Sequence, residues 1–204
     1  MKWLARTLVA LLAAAQTSRA QSDAALAAKL DKPTLVAVNA IIDSARAARL
    51  PTKPLNDKAL EGAAAGADGP KIVAAVRSLS FRMSSARRSL SSTASPDEIK
   101  AAVGALEAGV STRDLAQVQA AAGKRPVTIP LAVLTDLIGR QVALPTATAL
   151  VLQLERSGIK DGELTLFQRN VRADIERGAD PTVAASTRAR GLVQRGAGNN
   201  KPAQ

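Results

Sequence analysis

The stretch EAGVSTRDLAQVQ (Glu107–Gln119) decides the fold, because it ends one helix and starts another within a few residues. Gly109 supplies the left-handed residue that closes a helix at no steric cost, since it has no Cβ. Val110 is the apolar residue that folds back onto the last turn, and Ser111 is the N-cap of the next helix, with Asp114 three residues on. The same grammar returns in AGADGPKIVAAV (Ala65–Val76), RSGIKDGELTLFQ (Arg156–Gln168) and ERGADPTVAASTR (Glu176–Arg188). Gly66, Gly109, Gly158 and Gly178 are therefore predicted to be turn glycines with positive φ. RLPTKPL at Arg49 and QVALPTA at Gln141 are degenerate members without the glycine. A left-handed closure there would be strained, so the prolines at 51, 54 and 145 are expected to stop the helices instead. Each degenerate turn lies 17 residues before a glycine turn (66 − 49, 158 − 141), and the two pairs are offset by 92 (141 − 49), which raises the question of a duplicated half.

Working outward, SPDEIKAAVGALEAG carries Ser95 as N-cap, Pro96 at the first helical position and Glu98 three residues after the cap, a capping box with its preferred proline. Similar signals place helices near 22–31, 33–48, 53–65, 69–91, 96–108, 112–122, 130–140, 145–157, 162–177 and 181–190. The predicted fold is all-α with no β-sheet: stacked αα-hairpins, as a solenoid-like repeat or a compact bundle, over 21–190. GKRPVTIP is the one candidate for an extended connector, so 124–129 is expected to join sub-bundles 21–123 and 130–190. From Gly191, residues 191–204 offer little apolar surface and are expected to form a disordered basic tail.

The first twenty residues stand apart from the fold. Lys2 and Arg6 precede the apolar run TLVALLAAA, and QTSRA ends in small residues, the layout of a secretory signal cleaved after Ala20. The expectation is an exported bacterial protein, periplasmic or secreted. Removing Lys2, Arg6 and Arg19 lowers the formal charge from +11 to +8. The chain has no Cys, His or Tyr, which removes disulfides, thiolate sites and the imidazole base from consideration. Trp3 leaves with the signal, so Phe81 and Phe167 are the only aromatics expected in the exported chain.

The remaining routes to catalysis are thin. Ser157 and Lys160 have the S-x-x-K spacing of serine acyl-enzymes, but Gly158 breaks the helix that would put them on one face. The carboxylates Asp97 and Glu98 suit a helix N-terminus, while Asp174 and Glu176 stand two residues apart beside Arg172 and Arg177. Asp57, Lys58 and Glu61 read as a solvated patch. GAAAG (Gly62–Gly66) has the spacing of packed membrane helices, yet charges flank it, and no uncharged apolar run after residue 20 reaches the roughly 20 residues a span needs. No catalytic, cofactor-binding or metal-ligating residue is assigned.

One segment carries a binding signal. In IVAAVRSLSFRMSSARRSLSS, the residues Ile72, Val76, Leu79, Met83, Ala86 and Leu90 form a seam at alternating spacings of three and four. Lys71, Arg77, Arg82, Arg87 and Arg88 occupy the remaining surface, and no acid occurs from Gly69 to Pro96. A basic amphipathic helix docks onto an acidic partner or an anionic membrane surface. An exported chain without stacking aromatics argues against nucleic acid. The expectation is a non-enzymatic interaction module for an acidic envelope protein or anionic surface. The alternatives are a hydrolase built on Ser, Lys or carboxylates, or a purely structural envelope protein.

Overall fold

The computed structural model describes residues 23–199, with side chains to 195. The segment 1–20 expected to be a signal, and residues 200–204 of the expected tail, lie outside the described residues. Among the described residues the chain is all-helical, with no strand. A short helix over 23–29 (α1) is followed by α2 (Lys32–Ala47), α3 (Lys53–Ala64), α4 (Gly69–Ser89), α5 (Pro96–Glu107), α6 (Thr112–Ala122), α7 (Thr128–Gly139), α8 (Leu144–Arg156), α9 (Asp161–Glu176) and α10 (Pro181–Asn199).

The helix starts are held by side chains. Asp31, Asp68, Ser95, Ser111 and Asp180 each accept the backbone N–H three residues on, meeting one of the amides a helix leaves without an internal partner. The Ser95–Glu98 capping box is complete, the Glu98 carboxylate accepting from the Ser95 N–H at 2.8 Å. The helix ends at the four predicted glycines share one geometry. At 66, 109, 158 and 178 the glycine has φ between 69° and 94°. The next N–H then reaches back to the carbonyl five residues earlier, as in Val110 N to Ala105 O at 3.0 Å and Ile159 N to Leu154 O at 3.1 Å.

The two degenerate turns depart from expectation. Arg49 (φ 56°) and Gln141 (φ 68°) are themselves left-handed, and Leu50 N–Ala45 O (2.9 Å) and Val142 N–Leu137 O (3.0 Å) repeat the same closure. Proline does not replace it. The closure is held because the following residue, Leu50 or Val142, is buried and anchors the turn, so packing outweighs the local strain.

The described residues form two compact units, one up to Phe81 and one from Arg82, dividing within α4. In the first, α3 packs against α2, and Gly62 allows Ile72 of α4 to come close: a Cβ at 62 would lie 2.9 Å from Ile72 Cγ1. Gly62 of the GAAAG run thus serves a helix contact and Gly66 a turn. The start of α4 lies tighter still on α2, since a Cβ on Gly69 would meet Thr34 Oγ1 at 2.0 Å.

In the second unit α5, α7 and α9 pack in succession as one layer, and α6, α8 and α10 as another. Each hairpin stacks on the next, which is the arrangement of a helical repeat. The core is aliphatic, with Leu131, Leu134, Leu137, Val151, Leu154 and Leu164 fully buried. The expected boundary at 124–129 is not a boundary, and α5 to α10 pack across it. It is a short turn whose two ends are tied down: Val127 N–H donates to Glu98 Oε1 (3.1 Å), while Arg125 donates to Ile159 O (3.1 Å) and Glu155 Oε2 (2.7 Å). Nor does the chain leave the fold at Gly191. α10 continues to Asn199, and Leu192 is buried.

Candidate functional site

The α4 cations do not act alike. In the first unit, Lys71 pairs with Asp68 (3.2 Å), one turn back at the helix start, and Arg77 is exposed. In the second, Arg82 is half-buried and pairs with Glu107 (3.3 Å), Arg87 donates to Ser92 O (3.0 Å), and the exposed Arg88 donates to the hydroxyl of Ser85 (3.0 Å). The seam beneath is largely as read, with Ile72, Val76, Met83, Ala86 and Leu90 buried. Leu79 is only half-buried, and Phe81 is 68% exposed. Arg77 and Arg88 are thus the members of the candidate set that point to solvent without an acidic partner one turn away.

The carboxylates separate by environment. At Glu98, partial burial pushes the carboxyl up, but the amide hydrogen bonds from Ser95 and Val127 together outweigh it and hold the group below its ordinary value of 4.5. Glu155 behaves oppositely. Burial pushes its carboxyl up, and although Arg125 pulls it down, the group stays above 4.5, with Asp161 adding to the rise. Its Oε1 is buried without a hydrogen-bond partner among the described residues. This group was missed in the sequence because nothing in LQLERSG distinguishes an inward-facing Glu from a solvated one. Asp174 is held down at about 2, first by the hydrogen bond from Arg188 and then by its charge and by Arg177. Ser157 ends α8 and Lys160 precedes α9, on either side of the left-handed Gly158, so the S-x-x-K spacing does not place them on one helical face.

A cleft of about 240 Å³ lies between α9 and α10. Phe167 and Leu192 line its floor, both buried, with Leu166 on the rim at 49% exposure. One end is closed by the Arg188–Asp174 pair (2.8 Å from Nη2 to Oδ1), and Glu163 and Arg195 line the other. The Glu163 carboxylate is engaged by the Lys160 N–H (3.2 Å), as the cap of its own helix. No group of three or more acidic side chains able to hold a metal ion occurs among the described residues, and no described helix is long and apolar enough to cross a membrane. The chain matches no protein-family model, and no curated protein or solved structure matches it significantly.

Proposed function

We propose that the chain is an exported, non-enzymatic helical-repeat module that binds an acidic envelope protein. The observation that carries this reading is α4, a 21-residue helix without an acid. Its Arg77 and Arg88 stand exposed above a buried seam. Stacked hairpins support it in a general way, since repeat folds offer extended surfaces to partners, although fold alone does not determine function. The absence of His, Cys and Tyr favours it over a hydrolase.

The test is charge reversal at Arg77 and Arg88 together. Arg82 is left alone because reversing it would oppose Glu107 and confuse folding with binding. Wild-type protein immobilised at low ionic strength should retain acidic envelope proteins. That retention should fall steeply with salt, as the Debye length drops from about 10 Å at 0.1 M to 3 Å at 1 M. The double variant should keep wild-type helicity and lose the retention. Retention that survives reversal, or wild-type protein that retains nothing acidic at low salt, overturns the reading. Retention of anionic vesicles alone would move it to a membrane surface.

A further inference from the structure

We infer that Phe81 is the apolar anchor of the α4 docking surface, and that the acidic protein it meets carries an apolar patch rimmed by carboxylates. The inference rests on the acidic-partner reading above and deepens it: charge brings the partner to α4, and one ring fixes where it sits. A lone exposed apolar residue is ordinary on a protein surface. Phe81 differs in kind, in place and in company. It is one of two aromatics after residue 20, and whereas Phe167 is 3% exposed, Phe81 stands at 68%. The helical pattern does not call for a ring there. α9 starts 92 residues after α4 (161 − 69), and its residue at the matching place is the half-buried Ala173.

The charge selects the partner. Arg77 lies one turn before Phe81 on the same face, where side chains four apart are neighbours with Cβ atoms about 5–6 Å apart. Both are exposed, as are Ala74 and Ser78 beside them. α4 itself holds no acid. Asp43, Asp57, Glu61 and Asp68 of the same unit each pair with a Lys or Arg within four residues of the chain, and Asp31 caps α2. Arg77 forms no ion pair among the described residues, so an incoming carboxylate meets an uncompensated cation. An aromatic beside an arginine is the composition of an interface hot spot, in which the ring is enclosed by the partner and a polar rim excludes water. A bilayer surface fits less well. Holding a helix there takes a continuous apolar face, and the exposed residues around Phe81 are Ala74, Arg77 and Ser78. A second copy of this chain is disfavoured as occupant by the net charge of +11.

The probes are synthetic helical peptides of about 14 residues, roughly four turns. One carries Leu along a face flanked by Glu, a second has Ser for Leu, and a third has Lys for Glu. They are titrated against the full exported chain with its phenylalanine rings labelled for NMR. The Leu/Glu peptide should shift the Phe81 ring and leave the buried Phe167 ring in place, and the Lys peptide should shift neither. Phe81→Ala should weaken the Leu/Glu peptide by about tenfold or more, the scale of a lost anchor contact, and leave the weaker Ser/Glu peptide unchanged. Arg77→Glu should weaken both. The ring is exposed, so Phe81→Ala should keep wild-type helicity and melting temperature. Equal affinity for the Leu/Glu and Ser/Glu peptides, or binding that survives Phe81→Ala, overturns the anchor. A Phe81 shift with phosphatidylglycerol vesicles and with neither acidic peptide gives the ring to a membrane and likewise overturns it, as does self-association of the wild type abolished by Phe81→Ala. If acidic envelope proteins are retained through Arg77 and Arg88 and that retention is indifferent to Phe81→Ala, the anchor falls and the proposed function stands. If the Leu/Glu peptide binds through Phe81 while no acidic envelope protein is retained at low salt, the proposed function falls and the anchor stands.

Discussion

The segment of α2, α3 and the start of α4 in the first unit and α7–α8–α9 of the second are laid out alike. Helix ends coincide at a constant shift of 92 residues (139 − 47, 156 − 64), as do the starts of the third helices (161 − 69). The left-handed residues coincide as well, Gly66 with Gly158 and, more tellingly, Arg49 with Gln141. Non-glycine residues rarely adopt that conformation, and the chain places two of them at the same point of the two segments. The buried positions follow: Ile42 with Leu134, Ala45 with Leu137, Leu50 with Val142, Leu55 with Ala147, Ala59 with Val151, Ile72 with Leu164. Even a buried polar position is shared, Asn56 with Thr148, each with an oxygen that has no hydrogen-bond partner among the described residues.

The differences teach as much as the agreement. Leu150, Leu154, Glu155 and Phe167 are buried in the second segment, where α8 and α9 are enclosed by α6, α7 and α10. Their counterparts Lys58, Gly62, Ala63 and Ala75 are half-buried, small or charged. Seven matched positions are therefore buried in both segments, and these four only in the second. The same three-helix pattern of helix bounds, left-handed closures and buried positions thus occurs twice, with different burial at these four positions.

The largest test of this equivalence is truncation at the shared core. Leu134→Ala and Ile42→Ala remove matched, buried side chains, and each should cost about 2–5 kcal/mol, with Leu134 toward the upper end because α7 is enclosed by more helices. Denaturant melts would read both. A loss under about 1 kcal/mol at Ile42 would mean that its segment is not built around the same core.

A second test uses the point where the segments differ most in chemistry, Glu155 against Ala63. A buried carboxyl whose native pKa is raised binds its proton more tightly when folded, so stability rises as pH falls through that raised value. Glu98 and Asp174 have lowered values, so their contributions are present above the ordinary carboxylate range and are lost as pH falls through it, down to about 2 for Asp174. The wild type should therefore be most stable just above the ordinary glutamate value of 4.5, with stability declining on both sides. Glu155→Gln should flatten the decline toward neutral pH and leave the acid side unchanged. Thermal melts across pH would show this, and an unchanged neutral arm would mean that Glu155 is more solvated than its burial implies.

Much of this was legible in the amino-acid order. The caps at Ser95 and Ser111 and the turns at Gly66, Gly109, Gly158 and Gly178 are local chemistry, readable within five or six residues. What escaped is non-local. The Arg125 and Val127 contacts reach some 30 residues along the chain to Glu155 and Glu98, and they turn an apparent connector into part of the second unit. The continuation of α10 past Gly191 depends on Leu192 finding cover, which local propensity does not report. Of the candidate cations, sequence supplied the set but not the sorting: Arg82 facing Glu107 and Arg88 facing solvent are equivalent as letters.

The smallest expected effect sharpens the comparison most, because it isolates the one feature that sequence misread at both turns. Gln141 is exposed and left-handed, so its side chain contributes strain to the turn while its burial contributes little. Glycine relieves a conformational cost of about 1–2 kcal/mol for an L-residue in that region. It also loosens the unfolded chain, which takes back about 0.4–1 kcal/mol. Gln141→Gly should therefore stabilise the protein by roughly 0.5–1 kcal/mol, and Gln141→Ala should change little. Arg49→Gly should follow the same sign with a smaller gain, since Arg49 makes an interaction of its own that the glycine would forfeit. The converse change at the matched glycine, Gly158→Ala, should destabilise by a similar amount, there being no atom within 4 Å for a methyl group to strike. If Gln141→Gly lowers the melting temperature, the left-handed turn at 141 is sustained by the side chain and not by the burial of Val142, and its equivalence with Gly158 as a simple helix closure fails.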